Sequence, residues 1–149
     1  MMMQDNQITI SGYVGTAVEF RDQNGPPWAM FRVGSTPRYF DRQFNAWRDL
    51  ETTWVTVKTT RELAQNIADS LKVGEPVFVT GKLRTQVWES KDGESRRSEV
   101  LHATAVCHDL NRGTSTFQRV DRMVAQPTPA DSDDVAVIET LDRQTSPAA

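Results

Sequence analysis

One cysteine, Cys107, is the whole thiol content of this chain of 149 residues. A disulfide framework within the chain is therefore impossible, and a cysteine-rich zinc site is excluded. Histidine is nearly as scarce, with His102 and His108 six residues apart. Both are expected on one face of a strand, with no cysteine or carboxylate set converging on them, so no metal and no other cofactor is expected. No run of 18 apolar residues exists, and residues 1–10 lack the basic and apolar regions of a signal peptide. The expectation is a cytoplasmic chain. A P-loop, a G-x-G-x-x-G fingerprint and a Ser/His/Asp motif are all missing, so no catalytic residue is put forward and an enzyme is the last reading.

A basic excess is missing too. The net charge is −3. Residues 1–125 hold 16 basic and 15 acidic side chains, whereas residues 126–149 hold one and five. The negative charge thus sits near the C-terminus and the remainder is about neutral. Any cationic site must come from the sorting of charges in space.

What is present is a series of strand signals. Residues 7–20 alternate apolar and polar through Ile8, Ile10, Gly12 and Val14, predicting a strand with a glycine bend. Asn24-Gly25-Pro26-Pro27 is a turn and residues 28–33 a second strand. Residues 34–50 form a connection rich in aromatics and arginine. Residues 52–58, dense in β-branched side chains, are a third strand. Leu63, Ala64, Ile67, Ala68 and Leu71 recur at helical spacing. Thr59 followed by Glu62 reads as a capping box, and Gly74 and Pro76 close the helix. Residues 77–88 make a fourth strand with a bend at Gly81, Lys91-Asp92-Gly93 a hairpin turn, and residues 96–109 a fifth strand. Five strands with one helix between the third and fourth is the layout of the OB-fold, an all-β, five-stranded Greek-key barrel that binds oligonucleotides or oligosaccharides. It is assigned to residues 1–112. Residues 113–149, with Pro127, Pro129 and Pro147, form an extension expected to be disordered after about Val124.

Strand alternation sorts the side chains. Thr53, Val55 and Val57 face the core of the third strand; Trp54, Thr56 and Lys58 face away. On the fourth strand Val77, Val79, Leu83 and Val87 face in, with Gly81 among them. Phe78, Thr80, Lys82, Arg84, Gln86 and Trp88 face out. Two tryptophans therefore share a face with cations. Flat rings offer sequence-tolerant stacking to bases, and neighbouring cations neutralise phosphates. In residues 38–48, Tyr39, Phe40, Phe44 and Trp47 are interleaved with Arg38, Arg42 and Arg48. Arginine binds phosphate and also stacks on bases. Taken singly, a strand tryptophan is more often core or interface; the shared cations favour the binding role for Trp54 and Trp88. Trp28, Trp47, Tyr13 and Phe31 are assigned to packing.

These residues resemble the bacterial single-stranded DNA-binding protein family over about residues 5–112. Gly81-Lys82-Leu83-Arg84-Thr85-Gln86-Val87-Trp88 is close to its Gly-x-Leu-Arg-Thr-x-x-Trp strand. Thr53-Trp54-Val55-Thr56-Val57 resembles its Glu-Trp-His-(Arg)-Val strand, Arg61-Glu62-Leu63-Ala64 its helix start, and Leu71–Val77 its helix exit. The resemblance implies sequence-independent binding and protection of single-stranded DNA in replication, recombination and repair. It implies a nucleoid-associated homotetramer, a dimer of dimers, with Phe40, Trp54 and Trp88 as stacking aromatics. Lys58, Lys82, Arg84, Arg38, Arg42 and Arg48 would hold the backbone beside Thr56 and Gln86. Departures are Thr60 where many relatives stack a phenylalanine, and Gln86 and Val87 where basic residues are common. The end Thr145-Ser146-Pro147-Ala148-Ala149 lacks the family's acidic tip, which points to a short-tailed, actinobacterial-type auxiliary paralogue with reduced tail-mediated recruitment of replication and repair proteins.

Two other functions stand beside this one. An OB-fold RNA-binding module would use the same platforms, since nothing here reads a 2′-hydroxyl. A non-catalytic assembly subunit would use the aromatic face as a protein interface. Cys107 is expected first as a small buried thiol; in an isologous dimer it could instead face its own copy and form an intersubunit disulfide.

Overall fold

β-Branched residues run through five long segments, and in the computed structural model, which describes residues 4–121, each of these is a strand. The elements are β1 Gln7–Val14, β2 Glu19–Arg21, β3 Trp28–Ser35, β4 Arg38–Asp41, β5 Ala46–Asp49, β6 Thr53–Thr60, α1 Arg61–Ser70, β7 Pro76–Glu89 and β8 Ser95–His108. One sheet has the order β1-β7-β8-β6-β3-β2, and an added pairing of β1 with β3 closes it into a barrel. β6 and β8 run parallel; the other pairings are antiparallel. This is the OB-fold, with α1 between the third and fourth long strands as expected. It lies within the unit Met1–Ser115. Residues 116–121 fall in the second unit and carry no strand or helix. The expected disorder after Val124 and the missing tip concern residues outside those described.

Val14, Phe31, Val33, Val57, Ile67, Leu71, Val77, Val79 and Leu101 form the core. Each such side chain contributes roughly 1.5–3 kcal/mol by leaving water. Ala64 and Ile67 set the buried stripe of α1 against the barrel. At Gly81 the β7–β8 register slips by one residue. A β-carbon there would collide with the carbonyl of His102, so only glycine lets β8 pass so close.

Several expectations need correction. The strand foreseen over residues 7–20 is two: β1 ends at Val14, where it leaves β7 and pairs with β3 to close the barrel. Residues 38–49 are not a loop but a separate two-stranded hairpin, β4–β5. Asp41 Oδ1 accepts from the amides of Gln43 and Phe44 to shape its turn, and Asn45 takes the positive φ that the turn requires. Thr59 does not cap the helix. β6 runs on to Thr60, so Thr59 follows Val57 into the core, 2% exposed and with its hydroxyl unpartnered. The N-cap is Thr60, without a side-chain hydrogen bond. Val87 is not core: it is 67% exposed, because residues 84–89 of β7 extend as a two-stranded arm with β8 beyond the packed barrel. His102 and His108 are on opposite faces, since the bulge at Gly81 inserts one residue of β8 between them. Tyr13 is 44% exposed, with Arg112 over its ring. Cys107 is an exposed thiol on β8 rather than a buried one.

Candidate nucleic-acid interface

Register fixes which side chains share the outer face of the barrel. In one row Met30 of β3 pairs with Lys58 of β6, Lys58 with His102 of β8, His102 with Lys82 of β7, and Lys82 with Gln7 of β1. In the next row Arg32, Thr56, Val100 and Arg84 are paired in turn. Trp54 is one same-face step beyond Thr56, and Trp88 two beyond Arg84. Two tryptophans, each about half exposed, thus share this face and lie beyond the second row, on the same side of the two rows that carry Lys58, Lys82, Arg84 and also Arg32. Gln86, opposite Ser98, and Trp88, opposite Arg96, lie on the arm.

Trp54 is held flat. Its ring lies over Gly34 and Gly15, where a β-carbon would strike it, and the Arg32 guanidinium stands 5.2 Å from the ring centroid. Arg32 was not foreseen. Its signal was its alternation with the buried Phe31 and Val33, which the sequence reading did not follow across to the Trp54 strand. Lys58 turns toward a different ring, with its Nζ 5.6 Å from the centroid of Trp28, which Arg21 approaches to 6.0 Å.

The hairpin carries the second aromatic group. Phe40 and Trp47 are cross-strand partners with centroids 5.6 Å apart in an edge-to-face contact, and Trp47 is 62% exposed rather than packed. Arg48 lies 4.3 Å over Phe44. Two of the three predicted arginines are ion-paired: Arg38 with Asp49 at 2.7 Å, and Arg48 with Asp41 at 3.3 Å. Arg42, at the turn, is exposed.

Carboxylates thus sit among the predicted cations, and the barrel face follows the same rule. Asp5 accepts from Lys82 at 2.8 Å and from Arg84 at 2.8 Å. The hydrogen bond from Lys82 and the charge of Arg84 hold the Asp5 carboxyl below its usual range. His102 is also shifted down, which for a base favours the uncharged form. Burial, then the charges of Lys58 and Arg84, lower its pKa in the middle of the cationic rows. At the other end of β7, His108 bridges Glu75 Oε2 and Ser115 Oγ, each at 2.9 Å. This chain pins the exit of β8 to the turn after α1, beside a cavity of about 120 Å³. Among the described residues no group of His, Cys, Asp and Glu is placed to hold a metal ion, and no helix is long and apolar enough to cross a membrane.

Comparisons with known proteins bear on the family and the fold. The model of the "Single-strand binding protein family" matches residues 5–109. The "Single-stranded DNA-binding protein 1" of Streptomyces coelicolor is 42% identical over 127 residues, 85% of this chain and 81% of that protein. The crystal structure of a small single-stranded DNA-binding protein from Streptomyces coelicolor superimposes with a TM-score of 0.66 at 41% identity, over 74% of this chain and all of that one. A Plasmodium falciparum SSB in complex with ssDNA gives a TM-score of 0.61 over 72% of this chain and 97% of that one; at 19% identity it bears on the fold alone.

Proposed function

The chain belongs to the single-strand binding protein family, and on that premise we propose that it binds single-stranded DNA across the outer barrel face and the β4–β5 hairpin, without catalysis. The observation that carries this reading is the register that sets Trp54 and Trp88 on one face, at the same end of the rows that hold Arg32, Lys58, Lys82 and Arg84. A barrel has little reason to leave two tryptophans half exposed among cations unless planar, anionic polymers cover them.

Capture would be electrostatic first and stacking second. Lys58, Lys82, Arg84, Arg38, Arg42 and Arg48, with the added Arg32, hold phosphates, while Trp54, Trp88 and Phe40 stack bases and Thr56 and Gln86 line the path. Trp47 joins Phe40 as a platform, given its exposure. The binding domain is residues 1–112, with residues 113–149 an extension of it. A homotetramer acting at the nucleoid, in the cytoplasm, in replication, recombination and repair completes the proposal. Should the β8 faces of two copies meet, the exposed Cys107 thiols could bridge them, and non-reducing electrophoresis reads this directly.

The test is quenching of tryptophan fluorescence by oligo(dT) and by duplex DNA at two salt concentrations. Quenching by oligo(dT) alone, weakened by salt, is expected. No quenching, or equal affinity for the duplex, would overturn the reading. Preference for poly(U) over poly(dT) would turn it toward RNA.

A further inference from the structure

If the barrel face holds single-stranded DNA, as proposed above, then two of its cations are already occupied by this chain itself. Asp5 Oδ2 lies 2.8 Å from Lys82 Nζ, and Asp5 Oδ1 lies 2.8 Å from Arg84 Nη1. Two oxygens of one anion, each bound to a separate cation, is the arrangement that the two non-bridging oxygens of a phosphodiester would adopt on the same pair.

The backbone dictates this placement. The β1–β7 ladder pairs Gln7 with Lys82. It continues one step further, where the Leu83 amide donates to the Asn6 carbonyl at 2.8 Å. Asp5 is one same-face step before Gln7, and Arg84 is one same-face step after Lys82, so the two meet across the ladder. The contact is also reachable. The Asp5 side chain is 25% exposed, and those of Lys82 and Arg84 are 46% and 47% exposed. A strand of DNA following the Trp54–Trp88 face therefore meets the carboxylate on these cations. A carboxylate and a phosphodiester each carry one negative charge, and the repulsion between them prevents both from holding the same two cations.

We propose that Lys82 and Arg84 form a phosphodiester subsite that Asp5 occupies in the free protein, and that the DNA backbone displaces the Asp5 carboxylate when it binds. Asp5 then sets the affinity of the face without touching a base. The exchange trades the two ion pairs of Asp5 for two to the phosphodiester. It also bears on a binding domain with almost no net charge, since Asp5 is one local anion that stands in for the ligand's.

The test is a double-mutant cycle read by fluorescence titration with oligo(dT) at low salt. Its arms are the wild type, Asp5→Asn, Lys82→Gln with Arg84→Gln, and all three substitutions together. Binding by the wild type tests the parent reading and is scored first; wild-type protein that fails to bind overturns both. Given binding, Asp5→Asn is expected to tighten it by roughly three- to tenfold, the range set by freeing two exposed ion pairs. The same substitution on the Lys82→Gln/Arg84→Gln background is expected to change nothing measurable. Asp5→Ala repeats the test without an amide that could keep one of the bonds, and should tighten binding at least as much. Unchanged affinity in Asp5→Asn and Asp5→Ala overturns the proposal. So does an equal gain in the absence of Lys82 and Arg84, since that would mark a diffuse charge effect.

Discussion

The indole of Trp54 lies directly on its cross-strand partner Gly34, where an added β-carbon would stand 3.0 Å from the ring. Gly15 supports the same ring from the loop after β1. Two glycines thus make a flat seat, and Arg32 stands over the indole at 5.2 Å. The ring can lie flat because nothing larger than hydrogen is beneath it, and it is half exposed. The proposed platform therefore depends on positions that never touch DNA.

Gly15→Ala tests that dependence. The new methyl group would collide with the far edge of the Trp54 ring, which must tilt or swing out. The fold should survive, since the obstacle is a partly exposed side chain and not backbone. Weaker binding of oligo(dT) is expected, with a shifted tryptophan emission in the free protein. On a Trp54→Ala background the same substitution should leave affinity unchanged. A loss of equal size on both backgrounds would show that Gly15 acts by another route.

Trp54→Ala and Trp88→Ala should each weaken oligo(dT) binding by roughly 1–3 kcal/mol, the worth of one stacked base. Both rings are about half exposed and outside the core, so urea midpoints should move little. A Trp54→Ala or Trp88→Ala protein that unfolds early while binding normally would reassign that ring to packing.

Period-two alternation made most of the barrel legible, because Val57, Val77 and Val79 are buried on one side while Trp54 and Lys82 are not. Gly81 was legible as a bend for the same reason. Other features depend on information that a local pattern lacks. Asp5 meets Arg84 through the register of β1 on β7, which no window of neighbouring residues contains. The β4–β5 hairpin shows solvent on both faces, so its aromatics carry no apolar period and read as a loop. Val87 keeps the inward alternation of β7, yet alternation does not record where the barrel ends and the arm begins. Thr59 offered a capping-box spacing, and the longer strand overrode it.

His102 predicts a pH dependence with a definite sign. Its folded pKa lies below 6.5 through burial and the charges of Lys58 and Arg84, with Lys82 paired beside it. The unfolded chain takes up the proton first as pH falls, so this group's share of stability is present above 6.5 and lost on descent toward its folded value. Bound phosphates would offset the neighbouring cations and ease protonation, so affinity for oligo(dT) should rise through the same window. Titrations between about pH 8 and pH 5 on the wild type and His102→Gln measure it. The variant should lose the acid-side gain. Asp5, held below 3.8, keeps its charge across that range and leaves the signal to His102. Identical slopes for the two proteins would remove His102 from the binding face.

Val79 and Val87 stand eight residues apart on one strand with the same inward alternation, yet Val79 is 0% exposed and Val87 is 67% exposed. Val79→Ala should cost about 2 kcal/mol, the lost transfer free energy of two methyl groups plus a residual cavity. Val87→Lys should stay within about 0.5 kcal/mol of the wild type, as an exposed substitution on a solvent-facing ribbon. The new ammonium would sit on the arm, on the face opposite Gln86 and Trp88. If the arm follows the DNA, binding tightens and the slope of log K against log salt steepens by up to about 0.7, one further phosphate neutralised on a single strand. Urea unfolding and salt-dependent titration of the same variant separate the two effects. If Val87→Lys unfolds as readily as Val79→Ala, the arm packs in solution. If it is stable but its salt slope is unchanged, the DNA does not pass along the face of the arm that carries residue 87, and the path stays on the Gln86 and Trp88 face alone.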